Sequence, residues 1–222
     1  MTSGSLSRPA YSRAERISDA VVHVAGLAAV AAAVPVLIVL TARFRGDAAS
    51  VAGISVYGAT FALMILCSAL YNMIGHPRWS AILKRLDHSA IYLKIAGTYT
   101  PFMVLSGHGV ALTAGLWGAA LTGLFLKMIS PERFRWAALA LYLSMGWAGI
   151  VVGGPLIEAL AMPVVVLMLV GGILYTVGVA FFLWQRLPFH NTIWHVFVLA
   201  ASLVFYAAVT VQVVTGEPPV AA

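Results

Sequence analysis

Seven long runs of apolar residues, separated by short charged or Gly/Pro-rich breaks, constrain this chain more than any other feature. They cover residues 18–42, 51–74, 86–106, 109–127, 134–153, 163–184 and 191–214. A helix crosses the hydrocarbon core of a bilayer with about 20 apolar residues, and each run is close to that length or longer. Unbroken apolar stretches of this kind satisfy their backbone in lipid only as helices, because barrel strands alternate and are about half as long. The expected fold is therefore all-α: an integral membrane bundle of seven transmembrane helices over residues 18–214, with a segment before it at 1–17 and a short exposed tail at 215–222. Of the 222 residues only 9% are charged, against roughly 25% in a soluble domain. Seven spans use up the length, so no separate soluble domain is expected. Basic residues precede the first run as in a secretory signal, but its apolar part exceeds the roughly 7–15 residues of a signal core, so it is predicted to remain as the first span.

Lysine and arginine in short loops mark the cytoplasmic side of a membrane protein. With the N-terminus cytoplasmic, the inner segments hold ten of them: Arg8, Arg13, Arg16, Arg78, Lys84, Arg85, Lys127, Arg133, Arg135 and Arg186. The other side holds Arg43 and Arg45. The C-terminus, from Glu217 onward, is then expected outside. The net charge of +6 reads as orientation rather than as a nucleic-acid footprint, and the expected partners are membrane lipids, with a bacterial-type plasma (inner) membrane as the location. Cys67 is the one cysteine and can form no intramolecular disulfide. The halves show no repeat of the kind that builds many transporters.

Ionisable groups inside a membrane helix are costly, so each is a functional candidate. They gather at one level. The second run carries Ser68 and Asn72 near its inner end, the third opens with Asp87 and His88, and the seventh opens with His190, Asn191 and His195. The first carries Glu15, Asp19 and His23 on one stripe at i, i+4 and i+8. Glu15 and Asp19 also suit the positive end of a helix dipole, and polar residues in general favour helix ends at the headgroups. Lys94 lies about 10 Å deeper than Asp87 at 1.5 Å per residue. It is expected either to pair with Asp87, which shares its face, or to snorkel towards the cytoplasm.

Several segments carry a resemblance. They are Glu15-Arg-Ile-Ser-Asp-Ala-Val-Val-His23, Ser68-Ala-Leu-Tyr-Asn72, Leu86-Asp-His-Ser-Ala-Ile-Tyr92 with Ile95-Ala-Gly-Thr-Tyr-Thr-Pro-Phe102, Tyr142-Leu-Ser-Met-Gly-Trp147, Gly171-Gly-Ile-Leu-Tyr175 and Ile193-Trp-His-Val-Phe-Val198. In this order they resemble the hemolysin III branch of the progestin and adipoQ (adiponectin) receptor family, within a wider group of membrane hydrolases that includes alkaline ceramidases. The resemblance implies a seven-helix fold with the N-terminus inside and a zinc site near the cytoplasmic face. The implied ligands are a histidine from a Ser-x3-His motif on the second helix and two from a His-x3-His motif on the seventh. The serine and an aspartate opening the third helix sit beside the metal and its water. Carried over residue by residue, the catalytic positions are Ser68 and Asp87, and the ligand positions are Asn72, Asn191 and His195. Two of those three are amides, which are poor zinc ligands. His190 or His76 would have to swing in to rebuild a three-histidine set. On a helix His190 points about 100° away from Asn191, and Pro77 follows His76.

Three functions are therefore expected to compete. One is a metal-dependent, ceramidase-like membrane hydrolase acting on a lipid amide with an impaired ligand set. Another is a pore-forming, cytolytic protein, as the hemolysin name implies. The last is a sensing or binding protein built on a metal-free cavity of Asn72, Asn191, His195 and Asp87. No phosphate loop, dinucleotide fingerprint or Gly-x-Ser-x-Gly elbow occurs.

Overall fold

A computed structural model describes residues 11–130 and 134–216. Arg8, Arg133 and the tail from Glu217 lie outside the described residues. The described chain forms helices α1 (Arg13–Phe44), α2 (Ala48–Met73), α3 (Pro77–Ser106), α4 (Val110–Ile129), α5 (Arg135–Val152), the one-turn α6 (Gly154–Glu158), α7 (Met162–Leu183) and α8 (His190–Thr215), and no strand. Six of the seven long helices are long and apolar enough to cross a membrane by length and composition. The exception is α3, which bears Lys84, Asp87 and Lys94. It packs against α2, α4, α5, α6 and α8. A helix wrapped by neighbours presents little surface to lipid and tolerates polar groups that a peripheral helix does not.

Helix boundaries follow local chemistry rather than hydropathy. At α1, Ser12 and Glu15 form a reciprocal capping box, the Glu15 amide donating to Ser12 Oγ at 3.2 Å and the Ser12 amide to Glu15 Oε2 at 2.8 Å. At α2, the Ser50 amide donates to Asp47 Oδ1 at 2.7 Å. Helix α3 starts nine residues before its apolar run because Pro77 at the first helical position is preorganised for a helix start. The short α6 was not expected. Gly153-Gly-Pro155 reads as a break, and it also supplies an N-terminal proline for one turn.

In lipid, apolar burial does not drive helices together, so close packing and interhelical hydrogen bonds take over. Val21, Val39, Phe125, Val151 and Met162 are more than half exposed, as a lipid-facing surface requires. Inside, Gly97 lets α3 close onto Thr60 of α2, and Gly123 accepts the Tyr92 ring; any Cβ at either position would overlap those side chains. Hydroxyls tie the helices. Tyr92 and Tyr99 donate to the Ala138 and Gly146 carbonyls of α5 at 2.9 and 2.8 Å, and Tyr206 of α8 donates to Ala33 of α1 at 3.0 Å.

Helices α1 and α8 lie side by side and run parallel. At their starts the Phe189 amide donates to Glu15 Oε1 at 2.9 Å, and Ser18 and Thr192 share a 2.9 Å hydrogen bond. At their far ends, Arg45, just past α1, donates to the Gln212 and Val213 carbonyls in the last turns of α8 at 2.6 and 3.0 Å. First and last helices thus close the bundle, and the starts of α1, α3 and α8 meet the end of α2.

Candidate functional site

At that junction lies a cavity of about 800 Å³. Of the polar residues singled out from the sequence, His23, Ser68, Asn72, Asp87, His88, Lys94, His190, Asn191 and His195 line it, with Glu15 and Asp19, whereas His76 does not. Its remaining walls are largely apolar and aromatic, including Met64, Ile65, Trp147, Leu199 and Phe205.

The centre of the site is Asp19, buried at 7% exposure. Its Oδ1 lies 2.6 Å from His195 Nδ1, so α1 and α8 meet through a carboxylate–imidazole bond. One turn on, His23 Nδ1 lies 2.8 Å from the Asp19 backbone carbonyl and 3.5 Å from Asp19 Oδ2. Both of those oxygens only accept, so His23 carries its proton on Nδ1. The Nε2 lone pair is then left to face Ser68 Oγ, 3.1 Å away on α2. The two imidazoles meet edge to face with centroids 4.5 Å apart.

Asn72 and Asn191, at two positions the resemblance reserves for zinc ligands, bond to each other instead. Asn191 Nδ2 donates to Asn72 Oδ1 at 3.4 Å, and Asn72 Nδ2 donates to the Ser68 carbonyl at 2.9 Å. That carbonyl can only accept, which fixes the Asn72 amide with its NH2 towards Ser68. Its Nδ2 stands 3.5 Å from Ser68 Oγ.

One group of three potential metal ligands occurs among the described residues: Asp19, His23 and His195, whose donor atoms lie within 4.8 Å of one another. Two imidazoles and a carboxylate match in type the donor sets of zinc hydrolases, so this group could hold a metal ion. The three-histidine set through His190 or His76 does not form. His190 Nε2 faces the Tyr11 hydroxyl at 3.3 Å, and His76 is exposed and caps α3, accepting from the Arg78 amide. Asp87 and His88 sit on the cavity wall, His88 edge-on to Tyr71. Neither expectation for Lys94 describes its ammonium. It is 2% exposed, donates to Thr98 Oγ1 at 2.8 Å and lies over the Tyr57 and Phe61 rings. It therefore turns along α3 away from the end that bears Asp87.

The sequence profile described as Haemolysin-III related matches residues 12–206, which include both ends of this site. The chain belongs to that family. Hemolysin-3 of Bacillus cereus is 42% identical over 200 residues, covering 88% of this chain and 90% of that protein. The Hemolysin-3 homolog of Bacillus subtilis is 38% identical over 198 residues, covering 88% and 92%. The human Monocyte to macrophage differentiation factor is 25% identical over 170 residues, covering 69% and 67%. In this haemolysin-III-related protein the residue that sequence reasoning undervalued is Asp19. Its spacing of four from His23 was the available signal, but a carboxylate in the first turns of a helix also serves the dipole.

Proposed function

We propose that this haemolysin-III-related protein is a membrane-embedded hydrolase that cleaves an acyl bond, amide or ester, of a lipid admitted to the cavity. One observation carries the reading: a serine hydroxyl 3.1 Å from an imidazole nitrogen whose proton is fixed on the opposite side. Such a pair activates a nucleophile, and a mostly apolar cavity inside a membrane bundle suits an acyl chain. The protein sits in the plasma membrane with its N-terminus cytoplasmic, which places the cavity at the inner leaflet. Purified protein in phosphatidylcholine nanodiscs should release fatty acid from a fluorescent ceramide or diacylglycerol, and His23→Gln should slow release by about 100-fold or more, the usual contribution of a general base. No release above protein-free discs from either lipid would sink the reading.

The donor set Asp19, His23 and His195 favours a related reading in which a zinc ion is held there. A bound zinc would supply a Lewis acid and lower the pKa of its water. Its test is metal content: one zinc per chain, lost in His195→Ala, supports it, and metal-free active protein overturns it. Membrane permeabilisation is a further reading, favoured by the 42% identity to a protein named Hemolysin-3. Dye retention by liposomes at high protein-to-lipid ratio would count against it.

A further inference from the structure

We propose that Ser68 is a covalent nucleophile and that Ser68, His23 and Asp19, with Asn72 as oxyanion donor, form a metal-independent acyl-transfer site. The inference rests on the hydrolase reading and assigns its chemistry.

Four observations converge. The Ser55 and Thr60 hydroxyls on α2 bond back to their own helix, at 2.7 Å to Val51 and 3.0 Å to Val56. That is the default for a hydroxyl in a membrane helix. The Ser68 hydroxyl instead bonds across the bundle to the acceptor nitrogen of His23. The donor nitrogen of His23 faces the Asp19 carbonyl and, at 3.5 Å, the Asp19 carboxylate. His195 pins that carboxylate through its other oxygen at 2.6 Å, which makes His195 a positioning residue. Serine, imidazole and carboxylate in this sequence of contacts are recognised by geometry and roles, whatever the fold.

The two amides supply what such a site otherwise lacks. Asn191 holds the Asn72 oxygen, so the Asn72 NH2 is turned to the Ser68 side. An amide donor beside a nucleophile is positioned to bond the oxyanion that forms there. The change of two zinc-ligand positions to asparagine then removes one chemistry and furnishes another.

The step balances without a metal or a redox partner. Ser68 Oγ bonds to the acyl carbon as its proton moves to His23 Nε2, and the oxyanion faces Asn72 Nδ2. The C–N or C–O bond then breaks, His23 returns the proton to the leaving amine or alcohol, and the acyl group stays on Ser68 as an ester. Water adds to that ester, giving a proton to His23. Collapse, with His23 passing that proton to Ser68 Oγ, releases the carboxylic acid and restores the serine hydroxyl and the neutral imidazole.

The test treats the full chain in phosphatidylcholine nanodiscs with an alkyl fluorophosphonate in excess EDTA, with peptide mass spectrometry as the readout. A single adduct is expected on Ser68, absent in Ser68→Ala and formed about 100-fold more slowly in His23→Gln. Lipid hydrolysis by the untreated protein is expected to survive EDTA. The melting temperature of each variant separates loss of fold from loss of chemistry, and Asn72→Ala, expected to slow hydrolysis about 100-fold, gives a second variant outside the proton relay. Hydrolysis that EDTA abolishes, or that persists in Ser68→Ala, overturns the serine route and leaves the hydrolase reading standing. No adduct together with no hydrolysis overturns both.

Discussion

Asn72 and Asn191 meet at the wall of the cavity through their side-chain amides. Their side-chain ends lie 3.4 Å apart, and His195 stands one turn along α8 from Asn191. Imidazoles at both positions would reach the volume now held by an amide–amide bond. The double variant Asn72→His/Asn191→His should therefore gain zinc affinity of at least about 100-fold over the parent, since even a supporting residue around a metal ligand is worth 10–100-fold. Either single variant should gain much less. Metal analysis after dialysis against graded zinc buffers checks this, and equal zinc in parent and double variant would refute it. The sequence made the departure at these positions legible, because a neutral amide in place of a zinc ligand is visible in the residue types alone. It did not show which groups meet across the bundle. The central contact, Asp19 to His195, joins residues 176 apart in the chain, and no spacing rule reaches across that distance. The same limit applied to Lys94, whose depth was readable but whose contact with the Tyr57 ring depends on the rotation of α2.

Elements were more legible than contacts because caps and apolar runs are local. The start of α2 illustrates how firmly a single cap acts. The Ser50 hydroxyl, close but outside hydrogen-bond geometry, and the Ser50 amide at 2.7 Å both favour the charged Asp47 and hold its carboxyl below the ordinary 3.8. Asp47→Ala should lower stability by about 1 kcal/mol at neutral pH, read as a lower melting temperature in detergent. Because the folded pKa is depressed, the charge-dependent part of this stabilisation is present above the unfolded pKa and is lost as pH falls through the folded one. The melting gap between parent and Asp47→Ala should thus narrow in acid below about pH 4, whereas the gap between Asp47→Asn, which can still cap, and Asp47→Ala should show little pH dependence, since neither titrates at this position. A gap constant down to pH 3 would contradict the capping assignment. Helix α3 marks where element reading stopped short. Hydropathy located its apolar part from Leu86, yet the helix starts at Pro77, since backbone hydrogen bonding continues wherever residues permit it and does not end with the hydrocarbon.

The whole molecule is a ring closed by its first and last helices, and that closure constrains the number of passes. Helices α1 and α8 are parallel, with Glu15 at the Phe189 end and Arg45 at the Gln212 end. Parallel first and last helices require an odd number of crossings when each link reverses direction; six candidate spans do not satisfy this, and seven would, were α3 to cross as well. The polar cavity then lies at the end shared by the starts of α1, α3 and α8, the end that also bears Arg78, Lys84 and Arg186. The excess of basic residues there is the ground for proposing that this end is cytoplasmic, which is open to direct test. Cys67 is the one cysteine, so a Cys67→Ala background has no thiol of its own. In intact cells a membrane-impermeant maleimide should label His108→Cys, exposed between α3 and α4, and should label Gln185→Cys, exposed after α7, only once the cells are opened. The reverse pattern would invert the protein and put the cavity on the outer leaflet. Labelling of both sites in intact cells would mean that the segment from α4 to α7 crosses an even number of times, and one of α4, α5 and α7 would then not span.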